Sequence, residues 1–150
     1  MTDDELIKRA MEILEGRLTK PSWYIRHPED VRDYLRLRMS ELEYESFTMM
    51  FLDRAYGVIA TEEVCKGTID SSVVYPREVV KAALHFNAQS VLIAHNHPTG
   101  IVTPSTSDIK ITHRLWLALH QVDIDILDHI IVGKDTCFSF EDNFIALSPT

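Results

Sequence analysis

The stretch AHNHPTGIVTPSTSD, residues 94–108, gathers two histidines, a Pro-Gly turn, a serine and an aspartate into one short connection. In extended backbone, side chains two residues apart point to the same side, so His95 and His97 can converge while Asn96 faces away. A His-x-His pair alone reads more readily as two hydrogen-bonded surface imidazoles, so other residues must decide. Asp108 adds a third group. Taking about 100° per residue, it falls on the stripe of Ile111, Leu115, Ala118, Leu119 and Val122, the apolar face of a helix. An inward carboxylate needs a partner, because burying an unpaired charge is costly or forces neutralisation. The competing reading is a helix cap, since Ser105 with Asp108 forms S-x-x-D and an acidic first turn suits the helix dipole. A cap accounts for Ser105 and Asp108, but not for the two converging histidines.

Two neutral imidazoles and one carboxylate form a ligand set suited to Zn²⁺, with the fourth tetrahedral position left for water. Zinc would bring the pKa of that water towards ~7 and polarise a substrate carbonyl. A base, for which a nearby glutamate is the usual candidate, must take the proton and return it to the leaving amine. The Ser105 hydroxyl, close to the metal if Asp108 is a ligand, is placed to donate to the developing oxyanion.

The flanking segments supply the frame. Thr2 with Glu5 forms a capping signature before Leu6, Ala10, Ile13 and Leu14, which recur at helical spacing, and Gly16 to Pro21 is expected to break that helix. Pro28 opens a second helix through Val31 and Leu35. ESFTMMFLD alternates Phe47, Met49 and Phe51 against Ser46, Thr48 and Met50, and GVIATEEVCKG follows a turn containing Gly57, which predicts a β-hairpin. PREVVKAALHFN carries Val79, Ala82, Ala83 and Phe86 on one helical stripe, with His85 on the solvated side. SVLIA, residues 90–94, is too short for a helix and leads into the histidines as a buried strand would. TSDIKITHRLWLALHQV reads as a helix, and IDILDHIIVG and CFSF as two closing strands. The order is mixed α/β, and the strand-to-helix connection at 94–108 lies where ligand sites of open α/β sheets commonly sit.

Composition narrows the function classes. The 150 residues, 45% of them hydrophobic, suit one domain with a substantial core. Lys and Arg total 15 against 23 Asp and Glu, a net charge of −8, so no broad basic surface exists for a phosphate backbone and strong duplex DNA binding is not expected. MTDDELIKRA lacks the features of a secretion signal and no apolar run is long enough to span a bilayer, so a cytoplasmic protein with no membrane association is expected. Cys65 and Cys137 stand far apart with no C-x-x-C and read as reduced thiols.

HNHPTGIVTPSTSD resembles the signature of the JAMM/MPN metalloproteases: H-x-H, seven residues, then S-x-x-D. Beyond the motif, FLDRAYGVIATEEVCKGTIDSSVVYPREVVKAALHFNAQSVLIAHNHPTG and VDIDILDHIIVG resemble the bacterial RadC family through most of residues 28–147. The resemblance implies an MPN fold, a mixed sheet flanked by helices in a cytidine-deaminase-like α-β-α arrangement. It places the MPN domain at 28–150, after a short helical extension at 1–27. It implies zinc held by His95, His97 and Asp108, a serine at Ser105, and an upstream glutamate at a strand start that best matches Glu45. RadC proteins carry a traditional DNA-repair label, but longer relatives have a helix-hairpin-helix segment for which residues 1–27 look too short.

Spacing along a strand puts Glu45 on the Phe47 side. Glu41, Glu43, Glu62 and Glu63 are also available, Glu62 and Glu63 ranking next. His129 alternates with Leu127 and Ile131 and reads either as a satisfied strand histidine or as a donor behind a metal ligand. His113 and His120 fall with Ile109 and Trp116 opposite Asp108, suggesting contact with the N-terminal helices or another copy in a homo-oligomer. An HNH nuclease draws its three residues from separated parts of a ββα unit, so the adjacent letters His95-Asn96-His97 are coincidence, and a nucleoside deaminase needs P-C-x-x-C beside its H-x-E, which the sequence lacks. The expected function is a zinc-dependent hydrolase of peptide or isopeptide bonds in a peptide or protein substrate. The rivals are a DNA-repair-associated protein and a catalytically idle MPN scaffold.

Overall fold

A computed structural model describes residues 1–19, 25, 27–67 and 73–149. Helices α1 (Asp3–Thr19) and α2 (Pro28–Met39) precede strands β1 (Ser46–Leu52) and β2 (Val58–Lys66). Then come α3 (Pro76–His85), β3 (Ser90–Asn96), α4 (Thr106–His120), β4 (Asp125–Val132) and β5 (Cys137–Ser139). The strands form one sheet in the order β2-β1-β3-β4-β5. β1 runs antiparallel to both β2 and β3, β3 parallel to β4, and β4 antiparallel to β5. The one parallel pair needs a crossover, and α4 is that crossover. The fold is therefore mixed α/β, as the residue pattern predicts.

Each face of the sheet has its own core. Phe47, Met49 and Phe51 of β1 and Val91 and Ile93 of β3 pack with Val79 and Ala83 of α3 and Ile111, Leu115 and Leu119 of α4. Met50, Leu52, Leu92, Ala94, Ile130 and Val132 meet Val31, Tyr34, Leu35 and Met39 of α2, with Met11 and Leu14 of α1 packed behind. With helices on both sides, every residue of β1 and of β3 is buried. Two-sided cover also explains why SVLIA is a continuous apolar run.

Local chemistry sets the element ends. The Thr2 hydroxyl accepts from the Glu5 N–H and the Glu5 carboxylate from the Thr2 N–H, a complete capping box. α1 runs through Gly16 to Thr19 rather than breaking there. A single glycine costs a helix only about 1 kcal/mol relative to alanine, too little to stop one docked on α2; Pro21, the other expected breaker, lies outside the described residues. Tyr34 of α2 donates to the Glu15 carboxylate at 2.9 Å, fastening the two helices. Pro28 and Pro76 each open a helix, where the missing N–H is not needed. His85 is exposed and both cysteines are free and half-buried.

In β4 the expected alternation of Leu127, His129 and Ile131 fails at one point. Val91 pairs with Ile126 but Leu92 with Asp128, so Leu127 is an extra residue in the ladder. Such a bulge switches the facing of the strand beyond it. Leu127 packs towards α2, whereas Ile131 joins the α3 and α4 core. No helix among the described residues is long and apolar enough to cross a membrane.

Candidate metal centre

His95 lies in β3, and His97 comes directly after its last residue. The His97 N–H donates to the Val132 carbonyl at 2.9 Å, prolonging the extended ladder so that both rings emerge on one side. Their Nε2 atoms are 2.9 Å apart. The chain then turns tightly: Gly100, at φ +86°, returns its N–H to the His97 carbonyl at 2.8 Å. A side chain there would be strained, so glycine is the fitting residue. The turn brings the Ile101 carbonyl to 2.6 Å from His97 Nδ1.

The chain next enters α4, whose start is capped by Ser105. Its hydroxyl accepts from the Asp108 N–H at 3.1 Å, and Asp108 Oδ2 accepts from the Ser105 N–H at 2.8 Å. The cap reading of S-x-x-D is thus correct. The same carboxylate also faces the histidines, with Oδ1 3.0 Å from His95 Nε2 and Oδ2 3.1 Å from His97 Nε2. Asp108 is 3% exposed, on the stripe it shares with Ile111, Leu115 and Leu119. Val122, assigned to that stripe from spacing, lies beyond the end of α4 and is exposed.

Acceptor-only partners fix the ring protons. The Thr112 hydroxyl donates to the Asp108 carbonyl at 2.7 Å, so its oxygen accepts from His129 Nδ1–H at 2.6 Å. His129 Nε2 then accepts from His95 Nδ1–H at 2.7 Å. His97 likewise donates Nδ1–H to the Ile101 carbonyl. With both Nδ1 protons turned outward, the two Nε2 atoms and the carboxylate face one another at hydrogen-bond distance, 2.9 to 3.1 Å. Such a set of acceptors holds together with positive charge between them, a metal ion or a proton on a ring nitrogen. One ligand atom from each of the three residues falls within 4.8 Å of the others. Imidazole nitrogens and a carboxylate oxygen are donors that a zinc-like ion takes, so the residues present fit a metal.

Without a metal, a proton on His97 can take that place, bonded to Asp108. Burial opposes ionisation of Asp108, but bonds to His95 and His97 and the Ser105 N–H outweigh it and hold the carboxyl far below its ordinary range. The bond to Asp108 raises His97 above the usual imidazole value; burial opposes this, while the Ile101 carbonyl and the charges of Asp108 and Glu45 add to it. Burial, then the charge of His95, keeps His129 neutral. Phe47 stacks on His95 and Phe140 on His129, with centroids 6.2 and 4.6 Å apart, so an apolar wall backs the cluster.

The glutamates are placed differently from one another. Glu45 immediately precedes β1, is half-buried, and is close enough to influence His97. Glu41 and Glu43 are exposed in the preceding turn. Glu62 is exposed opposite Met49, further along the hairpin. Glu63 turns to Ser46 and Tyr44, its carboxylate accepting from their hydroxyls at 2.7 and 3.2 Å. His113 bonds the Ala146 carbonyl at 3.0 Å and His120 stacks on Trp116, so these two meet the C-terminal segment and their own helix rather than the N-terminal helices.

Thr112, Ile101 and Gly133 take part without any sequence signal that marks them. Thr112 reads as an ordinary helical residue, Ile101 acts through its backbone, and Gly133 acts by its lack of a side chain. His129, readable as a satisfied strand histidine or as a donor behind a ligand, is a buried strand histidine that accepts from His95 and bonds Thr112.

Comparison with known proteins agrees with this architecture. A family model described as RadC-like JAB domain matches residues 25–145. The UPF0758 protein YkfG of Escherichia coli (strain K12) is 45% identical over 141 residues, covering 94% of this chain and 89% of that protein. A UPF0758 protein of Vibrio cholerae is 43% identical over 134 residues, covering 89% and 84%. The UPF0758 protein PSHAa2643 of Pseudoalteromonas translucida is 53% identical over 115 residues, which are 77% of this chain but 51% of the longer relative.

Proposed function

The chain belongs to the RadC-like JAB domain family, and from that premise we propose that it is a zinc-dependent hydrolase of peptide or isopeptide bonds. The observation that carries the reading is the convergence of His95 Nε2, His97 Nε2 and the Asp108 carboxylate, with both rings held by hydrogen bonds from their Nδ1 side. A bound divalent ion supplies Lewis-acid polarisation of a carbonyl and a water of lowered pKa.

The chain's own groups do the rest. His95, His97 and Asp108 hold the ion. Glu45, at the start of β1 on the Phe47 side, takes a proton from water and delivers it to the departing amine. The Ser105 hydroxyl accepts from the Asp108 N–H and still carries a proton, which it donates to the oxygen that gains charge at the tetrahedral stage. Phe47 and Phe140 keep bulk water from the back of the histidines, which strengthens the electrostatics in front. The substrate is a peptide or protein; with a net charge of −8, duplex DNA is not a ligand at physiological salt.

The test combines metal content with hydrolysis. Purified protein is expected to bind about one zinc per chain, with His95→Ala, His97→Ala and Asp108→Ala each weakening binding strongly. Glu45→Gln should keep its zinc and lose about 10²- to 10⁴-fold in rate on a fluorogenic peptide library, while a Glu62→Gln/Glu63→Gln double variant stays active. Equal zinc content in all three alanine variants removes the site. A full zinc complement with no cleavage of any peptide favours a scaffold that uses the domain for protein contacts.

A further inference from the structure

Asn96 stands between the two histidines in sequence and turns away from them in space, onto the chain that carries Glu45. The antiparallel pairing of β1 with β3 ends at Phe47 opposite His95. One step further, where backbone would face backbone, the Asn96 side chain takes over. Its Oδ1 accepts from the Ser46 N–H at 2.7 Å and its Nδ2 donates to the Tyr44 carbonyl at 2.8 Å. Asn96 is 2% exposed, and its bond to the Ser46 N–H is fully buried.

The two atoms it holds belong to the two peptide groups on either side of Glu45. The Tyr44 carbonyl lies in the plane that joins residues 44 and 45, and the Ser46 N–H in the plane that joins 45 and 46. That second plane has another hold, because the Glu45 carbonyl accepts from the Gly67 N–H at 2.8 Å. Peptide groups are rigid, so fixing both planes fixes φ and ψ of the residue between them and hence the direction of its Cα–Cβ bond. The clamp sets the backbone of Glu45 and not its side-chain torsions.

Few side chains suit this position. It needs one acceptor and one donor on a single carbon, at the end of one methylene. Aspartate offers two acceptors and would set an oxygen against the Tyr44 carbonyl; serine offers one atom; glutamine is a carbon too long.

We infer that Asn96 is a positioning residue for the general base: it aims Glu45 at the metal centre by clamping the peptide groups around it, and so ties the base to the strand that bears His95. The inference rests on the reading of Glu45 as the base. It adds that the middle residue of His-Asn-His sets the rate without touching metal or substrate.

The experiment uses the full chain with Asn96→Asp, Asn96→Ala, Glu45→Gln and the Asn96→Ala/Glu45→Gln double variant. In metal-free protein, the ¹⁵N order parameters of the Glu45 and Ser46 amides should fall from the rigid range of about 0.85 to about 0.6 or below in both Asn96 variants, with the other β1 amides unchanged. Zinc affinity, read by competition with a chromophoric chelator, should stay within about threefold of the parent, because none of the three ligands moves. On peptides that the parent cleaves, kcat should fall about 10- to 100-fold with KM little changed, and the double variant should be no slower than Glu45→Gln alone, as for residues acting as one unit.

Unchanged amide order in Asn96→Asp overturns the inference whether or not a cleavable peptide is found, and this near-isosteric variant serves where Asn96→Ala does not fold. Full activity in the Asn96 variants beside an inactive Glu45→Gln overturns the positioning role and leaves the base in place. Additive losses in the double variant, or zinc affinity falling in step with kcat, also overturn it. Full activity in Glu45→Gln overturns the base reading itself.

Discussion

His129 Nε2 lies 2.7 Å from His95 Nδ1 and accepts its proton while Thr112 donates to the Asp108 carbonyl and accepts from His129 Nδ1–H. The orientation of His95, a candidate ligand in β3, is thereby set from α4, through a histidine in β4. One chain of hydrogen bonds joins these three elements, and it ends on the backbone of Asp108, the third candidate ligand.

Breaking the chain at its far end tests this relay. Thr112→Val keeps the shape of a fully buried side chain and removes the hydroxyl. His129 is then free to carry its proton on either nitrogen, and His95 loses a fixed acceptor. Metal affinity should fall about 10- to 100-fold, the usual cost of losing a partner behind a ligand, while the helix content by circular dichroism stays the same. Undiminished affinity would show that His95 is oriented by packing against Phe47 alone.

Protons and the proposed metal would compete for the same atoms, which gives a pH signature. In the metal-free protein His97 holds its proton more tightly than in the unfolded chain, principally through Asp108. Its contribution to stability is therefore complete below the ordinary imidazole value of about 6.5 and is lost as pH rises past its raised folded value. Asp108 works in the opposite sense: its carboxyl is depressed, so its contribution is present above the ordinary carboxylate value of about 3.9 and fades as pH falls below it. Melting temperature without metal should peak between these two limits and decline on the alkaline side. Adding zinc should abolish the alkaline decline, and zinc affinity should rise with pH through the same range. A metal-free melting temperature that is flat from about pH 6 to 8.5 would contradict the His97–Asp108 pairing.

Gly133 supports the site by what it lacks. A Cβ there would meet Val102 Cγ1 at 2.7 Å and the Gly100 carbonyl at 2.9 Å, both in the turn that carries the Ile101 carbonyl to His97. Gly133→Ala should push that turn outward and cost about 1–3 kcal/mol, as overpacking does. Because the displaced group is the acceptor for His97 Nδ1–H, zinc affinity should drop with stability. A variant equal to the parent in both would mean that the turn yields without moving Ile101.

Much of this was legible in the residues, for physical reasons that also mark the limits. Thr2 with Glu5 is a local signal whose partners are three residues apart, and it forms as expected. The His-x-His and S-x-x-D spacings are likewise local, so the loop could be read before any fold was known. What failed depended on tertiary context. Gly16 stays helical because α1 is docked on α2. The facing of Leu127 depends on a bulge that only strand pairing reveals. Asn96 was legible as facing away, but what it faces is set by the pairing of β1 with β3 and lies fifty residues earlier in the chain. Asp108 was readable both as cap and as ligand because one carboxylate has oxygens enough for both.

Ser105 allows its two roles to be separated. As N-cap its hydroxyl accepts from the Asp108 N–H. Replacing a capping serine by alanine costs about 0.5–2 kcal/mol, whereas glycine costs only a few tenths because water and backbone reach the freed N–H. Ser105→Ala should therefore melt measurably lower than Ser105→Gly. If the hydroxyl acted only as a cap, activity would track stability, and Ser105→Gly would remain close to the parent. If it also donates to the developing oxyanion, both variants lose the same donor and kcat should drop by about 10²- to 10³-fold in each, despite their unequal melting temperatures. Zinc content should be retained in both, since Asp108 keeps its Oδ2 bond to a backbone N–H at residue 105 that neither substitution removes. Ser105→Thr, which preserves the hydroxyl, should recover most of the rate. A Ser105→Gly protein that turns over at the parental rate would confine Ser105 to the helix cap.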